Sequence, residues 1–265
     1  MPKIAITGKG GVGKTTLAGL LSRLYAADGY TVLAVDADPD ANLASSLGFP
    51  AELAARIAPI ADMKDLIEER TGARPGAMGG MFRLNPRVED IPDRFCARHN
   101  GIALLQMGTV KKGGGGCVCP ENVLLRQLVN HLLIQRSEVV ILDMEAGIEH
   151  LGRATAQSVD AMLVVVEPGR RSLQTADAVR RLAADIGLNR IYAVGCKVQG
   201  ESDREFLREH VRDLPLLGFL SYSPLIVEAD LRGAAPYDLD PRAVEETKLI
   251  RARLEELLAE RRPGK

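Results

Sequence analysis

The sequence predicts a doubly wound α/β fold, with a mainly parallel sheet of about seven strands and helices on both faces. Short runs of aliphatic and β-branched residues recur along the chain, and stretches with helical apolar spacing separate them. The runs are apolar without alternation, which is typical of strands buried on both faces of a parallel sheet. Regular alternation of strand and helix favours the doubly wound architecture. The predicted strands are residues 3–7, 31–35, 102–105, 139–142, 162–166, 191–194 and 216–219.

One domain spanning residues 1–265 is expected, with an insertion around residues 50–100. About 65 residues separate the second predicted strand from the third, which is long for a crossover connection. Surface elaboration and a docking surface for a partner are both open interpretations of this insertion. The final helix, residues 241–260, could lie on a membrane surface. Its polar face mixes acids and bases, however, which favours packing on the sheet.

Composition argues against two classes of partner. The 265 residues are 46% hydrophobic and 26% charged, and the net charge is −1. This balance gives no electrostatic reason to bind nucleic acid or anionic lipid. No apolar run approaches the ~18 residues that a membrane span requires. We therefore expect no nucleic acid and no membrane partner. The four cysteines are too few for a disulfide scaffold, so we expect a reducing cytoplasm.

A phosphate-binding loop follows the first predicted strand. Gly8, Gly13, Lys14 and Thr15 satisfy the pattern G-x-x-x-x-G-K-[ST], with helical spacing after it. In such loops backbone N–H groups contact phosphate, the lysine reaches the β- and γ-phosphates, and the hydroxyl holds Mg²⁺. A glycine-rich turn without function is the alternative, which the flanking strand and helix disfavour. The predicted nucleotide contacts in the loop are Gly8, Lys9, Gly10, Gly11, Val12, Gly13, Lys14, Thr15 and Thr16.

Acidic residues follow two of the other predicted strands. Asp143 ends the run at 139–142, and Asp36 and Asp38 follow the second strand. We expect Thr15, Asp36 and Asp143 to hold Mg²⁺ and Asp38 to align the attacking water. The acids after the second strand could instead only cap the next helix. Gly147 follows Asp143 by four residues, where its N–H could sense the γ-phosphate.

The second motif is a cysteine pair. Cys117 and Cys119 follow four glycines, and Pro120 and Glu121 resemble the first turn of a helix running to about residue 135. Cys119 would then lie at the N-cap, where the helix dipole favours the thiolate. Thiolates at this spacing suit Ni²⁺, Zn²⁺, Cu⁺ or an iron–sulfur cluster, and a two-fold dimer would supply four of them. A redox pair or inert thiols are the alternatives.

The loop motif and the acidic segments resemble those of the deviant P-loop ATPases, a group that includes nitrogenase iron protein and the septum-site and partition ATPases. The resemblance implies that Lys9 reaches the partner subunit's phosphates, so that ATP assembles a homodimer. The predicted catalytic residues are therefore Lys9, Lys14 and Asp38. Relatives carry Asn-Lys at a late strand to read adenine, whereas this chain has Cys196-Lys197. Lys197 and the loop at Pro224 are expected to contact the base.

Nearly the whole chain resembles the nickel-insertion accessory ATPases of carbon monoxide dehydrogenase maturation, and three segments carry the resemblance. These segments are residues 84–92, 117–122 and 143–150. The resemblance implies Ni²⁺ or Zn²⁺ held between two subunits by Cys117 and Cys119, with apo nickel carbon monoxide dehydrogenase as client. ATP hydrolysis would then control dimerisation and metal release. An iron–sulfur electron-transfer protein and a positioning ATPase that binds membrane or DNA are the alternatives.

Overall fold

The centre of the molecule is an eight-stranded sheet, counted over the residues that this computed structural model describes: 1–75, 81–108, 119–147, 151, 153–211 and 213–260. The strands are β1 (Lys3–Gly8), β2 (Val32–Ala37), β3 (Ala97–His99), β4 (Ile102–Gln106), β5 (Val139–Met144), β6 (Ala161–Val166), β7 (Ile191–Val198) and β8 (Leu216–Ser221). Their order across the sheet is β3-β4-β2-β5-β1-β6-β7-β8. All neighbours are parallel except β3, which runs antiparallel to β4 at the edge.

The predicted doubly wound fold is confirmed, and each predicted strand is present. The prediction of about seven strands omits β3, because its three residues are only partly buried and form no apolar run. The helices are α1 (Lys14–Ala27), α2 (Leu43–Leu47), α3 (Ala51–Ala54), α4 (Lys64–Thr71), α5 (Ile91–Phe95), α6 (Pro120–Ile134), α7 (Arg153–Ala156), α8 (Arg170–Asp185), α9 (Glu201–His210), α10 (Pro224–Arg232), α11 (Pro236–Leu239) and α12 (Pro241–Glu260). A 3₁₀ turn, Ile60–Asp62, precedes α4.

The core divides into two layers, one on each face of the sheet. Ile4 and Ile6 of β1 face a layer that includes α1 and α12, whereas Ala5 between them faces a layer that includes α6 and α8. This alternation follows from the period of two along a strand. Helix α12 contributes Ile250 and Leu254, both fully buried, to the first layer. The final helix therefore packs on the sheet, as its mixed polar face predicts.

Between β2 and β4 the chain passes through the short helices α2 to α5 and β3. Ile67 of α4 and Ile91 of α5 are fully buried in the α6 layer. The insertion around residues 50–100 and the single-domain organisation remain predictions. Among the described residues, no helix combines the length and apolar character needed to cross a membrane.

Strand order and register bring the candidate site together. Because the parallel strands all end at one edge, the residues after β1, β2, β5, β6 and β7 meet there. In the pairing of β2 with β5, Asp36 lies opposite Asp143. At the end of β1, a Cβ on Gly8 would lie 2.5 Å from the carbonyl oxygen of Val165 on β6, so the phosphate loop must begin with glycine.

Candidate functional site

The phosphate loop, residues 8–16, links the central strand β1 to α1. Gly13 is the N-cap of α1 with φ 105°, and Val12 is fully buried, which fixes the loop to the core. Lys14 is only 6% exposed, and its Nζ lies 3.5 Å from Oδ2 of Asp38. The N-terminus of a helix beside a glycine-rich loop is an anion site, because its free N–H groups and dipole favour negative charge. The loop is therefore built as its sequence predicts.

Two buried carboxylates lie together at the ends of β2 and β5. Asp143 is fully buried, and neither of its carboxylate oxygens has a hydrogen-bond partner in the described part of the chain. Burial raises the pKa of Asp143 to about 7, and nearby Thr15 and Lys14 oppose the rise only in part. Mg²⁺ is bound by oxygen ligands, and a buried carboxylate beside a hydroxyl supplies ligands of this kind. Thr15, Asp36 and Asp143 therefore fit the metal that the sequence predicts.

Asp36 also has a structural task. Its carboxylate accepts hydrogen bonds from the N–H of Asp38 at 3.3 Å and of Leu43, the first residue of α2, at 3.1 Å. Burial raises the pKa of Asp36 to about 6, although these two hydrogen bonds act to lower it. The capping interpretation and the metal interpretation are therefore compatible, because a carboxylate has lone pairs for both.

The pKa of Asp143 predicts a pH dependence of stability. The unfolded chain loses this proton near pH 4, whereas the folded protein keeps it to about pH 7. The free energy of unfolding should therefore fall as the pH rises from 5 to 8, by on the order of 2–4 kcal/mol. Asp143→Asn stays neutral and should lose the part of this fall that Asp143 causes, and keep the smaller part from Asp36, whose pKa burial raises to about 6. Urea unfolding at both pH values, with a chelator and no nucleotide, measures it.

Asp65→Asn is the matched control for that experiment, because Asp65 is 97% exposed. It should keep the wild-type dependence on pH. An Asp143→Asn protein that lost stability with pH as steeply as wild type would contradict the assignment.

The switch segment, residues 145–147, follows β5 and is hydrogen-bonded to β1. The Thr7 hydroxyl donates to the Glu145 carbonyl at 2.6 Å, and the Gly147 N–H donates to the Glu145 carbonyl at 2.7 Å. The Thr7 hydroxyl oxygen also lies 3.3 Å from the Gly147 nitrogen. Sequence reasoning found Gly147 and missed Thr7. The available signal was a hydroxyl residue directly before the loop, at the end of a buried strand.

Lys9 and Lys197 share one carboxylate. Lys9 Nζ lies 3.1 Å from Oε1 of Glu167, and Lys197 Nζ lies 3.8 Å from Oε2 of the same residue. Glu167 directly follows β6 and was also missed by sequence reasoning, although an acid after a buried strand at this edge was a usable signal. Lys9 is 38% exposed, so its side chain can leave Glu167 without repacking the core.

A cleft of about 80 Å³ lies beside the phosphate loop. Burial raises the pKa of Cys196 to about 12, so this thiol stays neutral there. Lys197 has φ 57° and donates from Nζ to the Gly11 carbonyl. Pro224 begins α10 directly after the cleft residue Ser223. The cleft is lined by Val12, Gly13, Thr16, Cys196, Lys197, Leu220, Ser221, Tyr222, Ser223, Ile226 and Val227. Contact of Lys197 and the loop at Pro224 with the nucleotide base stays a prediction.

The cysteine motif is described only at its second residue. Cys119 is the N-cap of α6 with Pro120 at the first helical position, as the sequence predicts. Cys117 lies outside the described residues. Within the described ranges, no three His, Cys, Asp or Glu side chains lie together as a metal-binding group. The shared metal site at Cys117 and Cys119 remains a prediction.

Comparisons with known proteins give a consistent result. Residues 3–237 match the family described as CobQ/CobB/MinD/ParA nucleotide binding domain. The carbon monoxide dehydrogenase accessory protein CooC of Rhodospirillum rubrum is 48% identical over 95% of both chains. An uncharacterised ATP-binding protein of Methanocaldococcus jannaschii is 46% identical over 94% of this chain and 95% of its own. The MinD cell division protein of Aquifex aeolicus superposes with a TM-score of 0.67 over the whole of both chains at 22% identity.

Proposed function

Because this chain belongs to the CobQ/CobB/MinD/ParA nucleotide-binding family, we propose that it is a cytoplasmic ATPase that carries Ni²⁺ to an apo carbon monoxide dehydrogenase. The resemblance that its motifs predict is confirmed by the CooC relative. In this proposal ATP closes a homodimer around one metal ion, which is Ni²⁺ or Zn²⁺. Hydrolysis to ADP and phosphate then opens the dimer and releases the ion to the client.

The observation that carries the ATPase proposal is the pair Lys14 and Asp143 at the mouth of the phosphate loop. Lys14 is a buried cation at a helix N-terminus, and Asp143 is a buried carboxylate that accepts no hydrogen bond from the described residues. Burying these charged groups is unfavourable while the site is empty. Phosphate would pair with Lys14 and Mg²⁺ with Asp143, which would offset that cost. Thr15, Asp36 and Asp143 would hold Mg²⁺, which would neutralise charge on the phosphates.

Asp38 is the residue that we propose orients the attacking water. In the free protein it pairs with Lys14 at 3.5 Å, and its Oδ1 accepts from the N–H of Asp40. Phosphate would compete for Lys14 and free the Asp38 carboxylate to accept a hydrogen bond from water. Its position after β2, beside the Mg²⁺ residue Asp36, supports this role.

The exposure of Lys9 and its weak ion pair support the proposed homodimer. Lys14 reaches the chain's own nucleotide, whereas Lys9 lies on the exposed side of the loop and pairs only with Glu167 among the described residues. An exposed ion pair is weak, at about 0–1 kcal/mol, so a partner's phosphates can displace Glu167 at little cost. We propose that Lys9 makes this exchange when ATP is bound in both subunits.

Lys9→Ala tests the dimer proposal. The variant should bind ATP within about threefold of wild type, because Lys14 remains, yet stay monomeric with a nonhydrolysable ATP analogue. Light scattering after size-exclusion chromatography gives the mass in solution. Lys248→Ala is the matched control, because Lys248 forms a similar exposed pair with Glu245 on α12. A Lys9→Ala protein that dimerises like wild type would refute the proposed role of Lys9.

The position of Cys119 supports the coupling of metal to nucleotide. Cys119 is the N-cap of α6, which leads directly into β5 and hence to Asp143 and Gly147. Movement of the switch segment on ATP binding could therefore shift the cysteine motif through α6. Because such coupling is reciprocal, bound metal should also favour the dimer.

A further inference from the structure

Thr7 links the phosphate loop to the switch segment. It is the last residue of β1 before Gly8, where the loop begins, and it is fully buried. Residues 4–6 before it are apolar, and burying a hydroxyl beside them is unfavourable unless it is hydrogen-bonded. Its partners therefore indicate why it is there.

Among the residues that the structure describes, those partners all lie in the switch segment. The hydroxyl is 2.6 Å from the Glu145 carbonyl oxygen, 3.2 Å from the Gly147 carbonyl oxygen and 3.3 Å from the Gly147 nitrogen. It donates its one proton to Glu145 and accepts the Gly147 N–H, which also points to the Glu145 carbonyl at 2.7 Å. The turn is thus held against β1 with its N–H directed at groups of the chain.

We propose that the Thr7 hydroxyl is a latch that holds the switch segment away from the nucleotide and so lowers the affinity for ATP relative to ADP. The inference rests on the proposed function, in which the Gly147 N–H turns to the γ-phosphate. One N–H cannot serve Thr7, Glu145 and a phosphate oxygen at full strength, so γ-phosphate binding must break the latch. ADP has no γ-phosphate and leaves it closed. Thr7 is a positioning residue, because it acts through the switch segment.

Thr7→Val removes the hydroxyl and keeps a side chain of similar shape. The Gly147 N–H and the Glu145 carbonyl still bond to each other, so the fold should survive the change. Thr7→Ser keeps the hydroxyl and should behave as wild type. Thr247→Val is the matched control, because the Thr247 hydroxyl is equally buried and bonds the Ala243 carbonyl of α12 at 2.7 Å.

Affinities for ADP and for a nonhydrolysable ATP analogue test the latch, measured by calorimetry with Mg²⁺. Thr7→Val should raise the affinity for the analogue relative to ADP about fivefold, the equivalent of one ordinary hydrogen bond. Thr7→Ser and Thr247→Val should keep the wild-type ratio. An unchanged or lowered ratio in Thr7→Val, or the same rise in Thr247→Val, would overturn the proposal.

A second readout separates the latch from the proposed function. Exchange of the Gly147 amide that is equal with the ATP analogue and with ADP would refute the γ-phosphate coupling itself. Hydrogen exchange of the Gly147 amide in nucleotide-free protein then decides the latch independently. Exchange should be several times faster in Thr7→Val than in Thr7→Ser. Equal exchange in these two variants would show that the hydroxyl does not hold the segment.

Discussion

Lys14→Ala should lower the affinity for ATP and ADP by about 100-fold, because it removes a charge-assisted contact to phosphate. Lys14 is nine-tenths buried at the N-terminus of α1, so no other cation can take its place without repacking. The loss should exceed that of any other single substitution in the phosphate loop. Calorimetry with each nucleotide and Mg²⁺ measures it.

The fold should tolerate this loss. Lys14 lies beside the Asp38 carboxylate and lowers the pKa of Asp143. Without the lysine the pKa of Asp143 rises further and its carboxyl stays neutral, so thermal unfolding should still be cooperative. Lys248→Ala again serves as the surface control and should bind nucleotide as wild type does. Near-normal nucleotide affinity in Lys14→Ala would rule out the proposed phosphate site.

Cys119→Ala and Cys117→Ala should each abolish nickel binding and leave nucleotide affinity unchanged. A symmetric dimer loses two of its four thiolates with either change, which should weaken metal binding at least about 1000-fold. Metal analysis of protein trapped with an ATP analogue measures the nickel bound per chain. Together with Lys14→Ala, the pair of variants separates the metal site from the nucleotide site.

Cys96→Ala is the matched control for the cysteine variants. Burial raises the pKa of Cys96 to about 12, and its side chain packs against the core, so it is poorly suited to bind metal. This variant should keep its nickel. Nickel retained in both motif variants would contradict the metallochaperone proposal, and brown protein with stoichiometric iron and sulfide would favour the electron-transfer alternative.

The fold and part of the candidate site could be predicted from features that are local in the sequence. Each strand buried on both faces appears in the sequence as an apolar run, and β3 was missed because it is short and half exposed. Lys14, Thr15, Asp36 and Asp143 could be predicted as site residues because each lies in a motif or beside such a run, and their roles stay predictions. The N-cap position of Cys119 followed from Pro120 in the same way.

The residues that sequence reasoning missed are partners across the sheet. Thr7 meets Glu145, which is 138 positions away, and Lys9 meets Glu167 at a separation of 158. These contacts depend on β1 lying between β5 and β6, which is a property of strand order that no local pattern contains. Thr7 and Glu167 contact the two groups that we propose to move, Gly147 and Lys9.

Nickel content and mass in solution, measured together with an ATP analogue and with ADP, test the central proposal most directly. We expect one nickel ion per two chains and twice the chain mass with the analogue. With ADP the protein should be monomeric and hold less nickel. Equal nickel content and equal mass with the two nucleotides would contradict the account, because ATP would then not assemble the metal site.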